Sequence, residues 1–265
     1  MADTVNFLNI RFNRMSADEA VEILLERSLK RQGGRIYYAN AHTIVTAVKY
    51  PQLAQALNHS DLLLADGSGV YWGSVILNTP LVHNLNGTDL VPALCKAGGK
   101  KDLSVYLLGG KPGVAADAAK KFKANTGIEI AGVHDGYFPL AETQKVLKNI
   151  RSASPHLLLV AMGVPLQELW INNYANQLPG ITCMGVGALF DFVAQRVTRA
   201  PQSFRTMGME WLWRLGLEPK RLWKRYLIGN SIFCGLVIKA ALETSYSHRF
   251  TRKNDWKNKS IDMDM

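Results

Sequence analysis

The side chains best suited to chemistry fall at the ends of short apolar runs. The run Asp61–Ala65 is followed at once by Asp66-Gly67-Ser68-Gly69. A carboxylate at a strand end, with Gly67 leaving it room, can take a proton from a hydroxyl. The alternative for Asp66 is an aspartate that caps the next helix. The run Arg35–Ala39 leads into Asn40-Ala41-His42-Thr43. Asn40 and Thr43 can hydrogen-bond a polar ligand. His42 is a rival base, because imidazole titrates near neutral pH. The competing readings are a helix-start residue for Thr43 and a ring packed in a turn for His42. The run Leu157–Met162 is apolar without alternation, as in a strand covered on both faces. Gly163 then permits a sharp turn, and Pro165 suits a helix start. Gln167 and Glu168 fall in the first helical turn, where unpaired N–H groups favour phosphate. An ordinary strand–helix joint is the other reading.

A further turn, Gly109-Gly110-Lys111-Pro112-Gly113, closes the buried run Leu103–Leu108. Its glycines let backbone approach a nucleotide or let a strand pack tightly on a helix. It is neither a Walker loop nor a full G-x-G-x-x-G. Asp-x-Asp occurs at Asp262-Met263-Asp264, in the polar tail, and not in the body of the chain. Neither a metal-bridged diphosphate nor a cofactor is therefore expected. Leaving-group charge then falls to helix N-termini and cations.

The elements that must position these residues repeat as strand, glycine-rich turn, helix. That pattern predicts an α/β, Rossmann-like, mainly parallel sheet flanked by helices. Val5–Phe12 reads as an edge strand, and Ser16 with Glu19 as a capping box. One helix is expected from Thr43 to about Leu57. Residues 1–195 form the expected catalytic core. The composition then changes. Across residues 196–225, Arg196, Arg199, Arg205, Arg214, Lys220, Arg221, Lys224 and Arg225 face only Glu210 and Glu218. Phe204, Trp211, Trp213, Trp223 and Tyr226 are interleaved with them. This predicts a basic helical appendage, residues 196–246, lying on an anionic surface. Residues 247–265 are polar and expected to be disordered.

With 48% hydrophobic and 20% charged residues over 265 positions, the chain is globular. A net charge of +10 implies an anionic partner: nucleic acid, phospholipid or nucleotide. Cys95, Cys183 and Cys234 form no CxxC pair, which points to a reducing compartment without disulfide or zinc. No signal peptide is expected. No membrane span is expected either; the nearest stretch, Tyr226–Leu242, is interrupted by Asn230 and Lys239.

Several motifs then agree in order: Asn40-Ala41-His42-Thr43, Ala65-Asp66-Gly67-Ser68-Gly69, Asn86-Gly87-Thr88-Asp89-Leu90 and Leu107-Leu108-Gly109-Gly110-Lys111-Pro112-Gly113. They continue as Met162-Gly163-Val164-Pro165-Leu166-Gln167-Glu168 and Gly185-Val186-Gly187-Ala188-Leu189-Phe190-Asp191. Arg199-Ala200-Pro201, Met209-Glu210-Trp211-Leu212-Trp213-Arg214-Leu215 and Glu218-Pro219 end the series. From about residue 5 to 230 the chain closely resembles the WecG/TagA/CpsF bacterial glycosyltransferases.

The resemblance implies an inverting, metal-independent enzyme. Its donor would be a UDP-sugar of N-acetylmannosamine, N-acetylmannosaminuronate or glucose type. Its acceptor would be a polyprenyl-diphosphate-linked saccharide used in surface polysaccharide assembly. The enzyme would be cytoplasmic and peripheral on the inner face of the bacterial plasma membrane, with the appendage docking there and completing the site. Asp66 and Thr43 would be catalytic. Asn40, Gly67, Asn84, Gly87, Asp89, Gly109, Gly110, Gly163, Gln167 and Glu168 would bind substrate. Arg214, Arg221 and Arg225 would hold the leaving group or lipid headgroups. Asn84, with His83 beside it, stands where the family usually has arginine, and Gln195 where it often has glycine. A cation near the donor phosphates is thus missing or supplied from elsewhere. A non-catalytic protein binding nucleic acid or another anionic surface is the alternative; it would leave Asp66 and the sheet-edge glycines idle, so nucleic acid is not an expected partner. A nicotinamide-dependent dehydrogenase lacks its fingerprint. A homo-oligomer is compatible with the sequence.

Overall fold

The structure is a computed structural model that describes residues 3–82 and 85–243. His83, Asn84 and the tail 247–265 lie outside the described residues.

Strands β1 (Asp3–Phe7) and β2 (Ile10–Arg14) pair antiparallel as a hairpin. This corrects the single edge strand expected over Val5–Phe12. Leu8 and Asn9 take φ values of 52° and 62°, the paired positive angles of a two-residue hairpin turn. The reversal sends Phe7, Ile10 and Phe12 together into the core. Helix α1 (Ala17–Leu29) opens on the expected capping box: Ser16 Oγ accepts from the Glu19 N–H, and the Glu19 carboxylate accepts from the Ser16 N–H.

Then come β3 (Gly34–Ala39), α2 (Ala41–Lys49), α3 (Pro51–Asn58), β4 (Leu62–Ala65), α4 (Ser68–Ile76) and α5 (Gly87–Gly98). The single helix expected up to Leu57 is two, because Pro51 starts a new one at the position where it needs no N–H. The core continues with β5 (Ser104–Gly109), α6 (Val114–Thr126), β6 (Glu129–His134), α7 (Thr143–Ala153), β7 (Leu157–Ala161), α8 (Leu166–Tyr174), β8 (Thr182–Gly185) and α9 (Leu189–Val193). The six strands β3 to β8 form one sheet in the order β4-β3-β8-β7-β5-β6, and each neighbouring pair is parallel. Ile36 and Tyr38 of β3 join one core with α1, α5 and α6, while Tyr37 and Ala39 join the other with α2, α3, α7 and α8. Burial on both faces is why these strands read as apolar runs. All six strands end on one edge, where the turns open a cleft.

The appendage comprises α10 (Gln202–Thr206), α11 (Glu210–Leu217) and a terminal helix, Pro219–Glu243, with a π-type turn at Lys224–Ile228. By length and composition alone this helix could cross a membrane, which corrects the expectation that no segment could. One of its faces, Leu222, Tyr226, Phe233 and Val237, is buried. Its seat is Gly73 of α4, where a Cβ would lie 2.9 Å from the Phe7 ring and 3.2 Å from both Phe233 and Val237. Trp211 packs on Tyr226 and Trp213 on Phe204, with ring centroids 5.9 and 5.6 Å apart, and both are half-buried. Trp223 is the exposed one.

Candidate active site

The cleft at the carboxyl edge of the sheet has a volume of about 2810 Å³ and is walled by both core and appendage. That exceeds the several hundred Å³ typical of a pocket for one small ligand, so it has room for two substrates.

Asp66 sits on its floor. Its N–H donates to Ala39 O at 3.0 Å, which extends the β3–β4 ladder by one residue and fixes the backbone there. Its carboxylate Oδ2 accepts from Asn40 Nδ2 at 3.2 Å. Asn40 Oδ1 accepts in turn from the Thr43 N–H at 3.1 Å and from Thr43 Oγ1 at 3.2 Å. Thr43 therefore aims Asn40, and Asn40 aims Asp66. α4 starts after Gly67, at φ 91°, with no side-chain cap among the described residues, so Asp66 does not cap it. Burial raises the Asp66 carboxyl above its ordinary range; the Asn40 hydrogen bond, Arg225 and Arg214 pull it back. Thr43 itself is 0% exposed. It is nonetheless at the cleft wall, where α2 holds it as the partner of Asn40. His42 lines the cleft, but burial and then Arg225 and Lys49 lower its imidazole to about 4.

Gln167 and Glu168 differ in placement: Gln167 is 3% exposed and lines the cleft, while Glu168 is 0% exposed and does not. Gln167 Oε1 accepts from the Gly163 N–H at 3.2 Å and the Gly187 N–H at 2.9 Å, tying together the turns after β7 and β8. Gln167 Nε2 donates to Glu168 Oε1 at 2.7 Å. Burial raises the Glu168 carboxyl to about 7, against the Gln167 hydrogen bond. The pair holds the floor from below, and direct substrate contact by Glu168 is corrected on that ground. Gly109 does not line the cleft either: at φ 136°, a Cβ would meet Ala161 O at 2.4 Å, so the glycine serves strand packing. Gly67, Gly87, Gly110 and Gly163 do line it.

The appendage brings the cations. Arg214 lies over the Phe192 ring at 5.1 Å, and Arg225 is pushed below its usual range, first by burial. Both line the cleft, and both have a buried Nε without a partner among the described residues. Arg199 and Arg205 share that second feature. Arg221 is different: exposed at the rim, it pairs with Glu218. Asp89, expected to bind substrate, holds Arg199 through two bonds of 2.6 and 2.5 Å and so fastens the appendage to α5. A second link is Ser68 Oγ donating to Gly208 O at 2.8 Å, one turn from Asp66.

One acid was not singled out in the sequence. Glu210, the first residue of α11, lines the cleft and accepts from Asn86 Nδ2 at 3.4 Å. Burial raises its carboxyl; Arg199 opposes this, and Asp66 adds to it. The available signal was its rarity, as one of two acids among residues 196–225.

Fold and cleft thus describe a parallel α/β protein with a cation-faced carboxylate at its sheet edge. The chain belongs to the Glycosyl transferase WecG/TagA/CpsF family, whose model matches residues 5–247, and it is a glycosyltransferase. It is 33% identical over 199 residues to the N-acetylglucosaminyldiphosphoundecaprenol N-acetyl-beta-D-mannosaminyltransferase of Bacillus spizizenii (strain ATCC 23059 / NRRL B-14472 / W23). The match covers 75% of this chain and 76% of that protein.

Proposed function

We propose that the chain moves a sugar from a UDP-sugar to a saccharide carried on a polyprenyl diphosphate, with inversion and without metal. One observation carries this reading: Asp66 is aimed into the cleft by Asn40 and faced by Arg214 and Arg225, whose buried Nε atoms lack partners among the described residues. Arginines with a buried Nε and no partner for it are suited to an anion, and a departing diphosphate is one. The name of the Bacillus relative supports the lipid-linked acceptor and favours an N-acetylmannosamine-type donor.

In this reading the nucleotide lies over the open turns at Gly110, Gly163 and Gly187. The acceptor hydroxyl oxygen attacks the anomeric carbon from the face opposite UDP. Asp66 takes the hydroxyl proton as the new bond forms. The anomeric C–O bond breaks, its electron pair leaves with UDP, and Arg214 and Arg225 take up the charge. A single displacement inverts the anomeric centre. His42 serves less well as base, since its protonation would add a third positive charge beside Arg225 and Lys49.

The chain docks on the inner face of the bacterial membrane as a peripheral protein. Trp223, Leu227, Ile228, Ile238 and Leu242 are exposed on the terminal helix, with Lys220, Arg221 and Lys224 at its start. Cations next to an anionic leaflet contribute about 1 kcal/mol each. A helix with one face buried on its own core is suited to lie on a bilayer.

The test is transfer by the purified full chain. It is given a panel of UDP-sugars and N-acetylglucosamine linked through diphosphate to a short isoprenoid. One UDP-sugar should protect the protein against heat and yield a disaccharide product. Absence of any UDP affinity would overturn the reading.

A further inference from the structure

The acid that the mechanism leaves unused is Glu210. It stands on the appendage and reaches the same cleft as Asp66, which stands on the core. Its surroundings are unusual for a carboxylate among arginines. Among the described residues it forms no ion pair within 4 Å; Arg199, its nearest source of charge in order of effect, is committed to Asp89 by two short bonds. The hydrogen bond it accepts, from Asn86 Nδ2, is 3.4 Å long, near the outer limit for such a bond. A carboxylate offers about four acceptor sites. Glu210 thus brings a half-buried acceptor, with one long hydrogen bond among the described residues, to the wall of a cleft. Arg199 and Arg214 act on it through charge and not through an ion pair within 4 Å, which leaves its oxygens open to neutral donors. A sugar ring offers such donors in adjacent pairs.

The position of Glu210 says which sugar. The turns at Gly110, Gly163 and Gly187 belong to β5, β7 and β8, in the middle of the sheet. Asp66 follows β4, at the outer edge, and Glu210, whose carboxyl feels the Asp66 charge, is tied to Asn86 just before α5. The Leu85 N–H donates to Ala65 O at 2.7 Å, which sets Asn86 beside Asp66. We infer that Glu210 binds the acceptor saccharide, accepting hydrogen bonds from a ring hydroxyl next to the one that reacts. The inference rests on the transferase reading above, and it assigns acceptor recognition to the appendage.

The experiment compares wild type and Glu210→Gln, both full length, on N-acetylglucosamine-diphospho-farnesol and its 3-deoxy, 4-deoxy and 6-deoxy analogues. A hydrogen bond to a charged group contributes about 1.5–3 kcal/mol, so Glu210→Gln should lower kcat/KM for the parent acceptor by about 10- to 100-fold. Affinity for UDP, read by calorimetry, should stay unchanged. The analogue lacking the reacting hydroxyl gives no product. One of the other two should lose as much with wild type as Glu210→Gln loses on the parent. In combination the two losses should not multiply. Losses that multiply for both analogues, or UDP affinity that falls in parallel with turnover, would overturn the inference. Glu210→Asp, which keeps the charge, should recover part of the loss, and this arm applies if the Gln variant does not fold. Failure of wild type to use the parent acceptor with any UDP-sugar would instead overturn the transferase reading, and it shows before any variant is made.

Discussion

On the floor of the cleft, Gln167 uses both ends of its amide inside the protein. Its oxygen holds the turns at Gly163 and Gly187, and its nitrogen holds Glu168. Over that floor, the appendage presents Arg205, Arg214 and Arg225, each with a buried Nε lacking a partner among the described residues, and a helix with exposed apolar side chains. Folding alone nearly completes the first region. The second is left open to groups that arrive from outside: a diphosphate, an acceptor sugar and a bilayer. Substitutions in the floor should therefore read out as stability, and substitutions in the appendage as turnover or binding.

The largest effect is expected where the two regions meet. Asp66→Asn should lower kcat by about 10³-fold, within the range for losing a general base, and leave the UDP Kd near wild type. Turnover within tenfold of wild type would remove Asp66 from that role. Next come Arg214→Ala and Arg225→Ala, each expected to lower kcat by about 10²-fold. They carry a second signature. Burial sets the Asp66 carboxyl high, and Asn40, Arg225 and Arg214 lower it. Removing any of the three raises it further, so the acid limb of the kcat/KM profile should move to higher pH. Arg221→Ala, an exposed ion pair, should leave turnover and profile unchanged.

Gln167→Ala tests the floor. It strands the Gly163 and Gly187 N–H groups, and should destabilise the fold by about 2–4 kcal/mol, read as a lower urea midpoint. Glu168 gives a subtler readout. Burial lifts its carboxyl from the ordinary 4.5 to about 7, so the folded protein holds that proton more tightly than the unfolded chain. Its contribution to stability is full below about 4.5 and is lost as pH rises to about 7. The Tm of wild type should carry that decline, and Glu168→Gln should flatten it. The smallest effect is expected from Ile228→Ser with Leu227→Ser. These should weaken sedimentation with anionic vesicles while Tm stays unchanged; altered Tm with unchanged sedimentation would move the bilayer contact elsewhere.

The parallel sheet was legible because β4, β5 and β7 are apolar without alternation, and each ends in a turn rich in glycine or asparagine. The hairpin was not. Leu8 and Asn9 carry the positive φ angles there, and without a glycine or proline the turn has no punctuation, so Val5–Phe12 reads as one strand. At the site, the types of Thr43, Gln167 and Glu168 suit ligand contact, but a sequence does not say which way a helix turns its first residues. Here α2 and α8 bury all three, with Thr43 and Gln167 still at the cleft wall. Trp211 and Trp213 each pack on an aromatic neighbour within the appendage, a contact that their spacing among arginines does not announce. Glu210 and its tie to Asn86 needed the appendage folded over the core.

The seat at Gly73 sets an order in time. It is built from Phe7 and from α4, and the helix that fills it, with Phe233 and Val237, is synthesised after both. Glu210, Arg214 and Arg225 all follow Gly208, whose carbonyl accepts from Ser68 Oγ. On the proposed mechanism, the carboxylate and the guanidinium groups meet only when that helix closes on residues made before it.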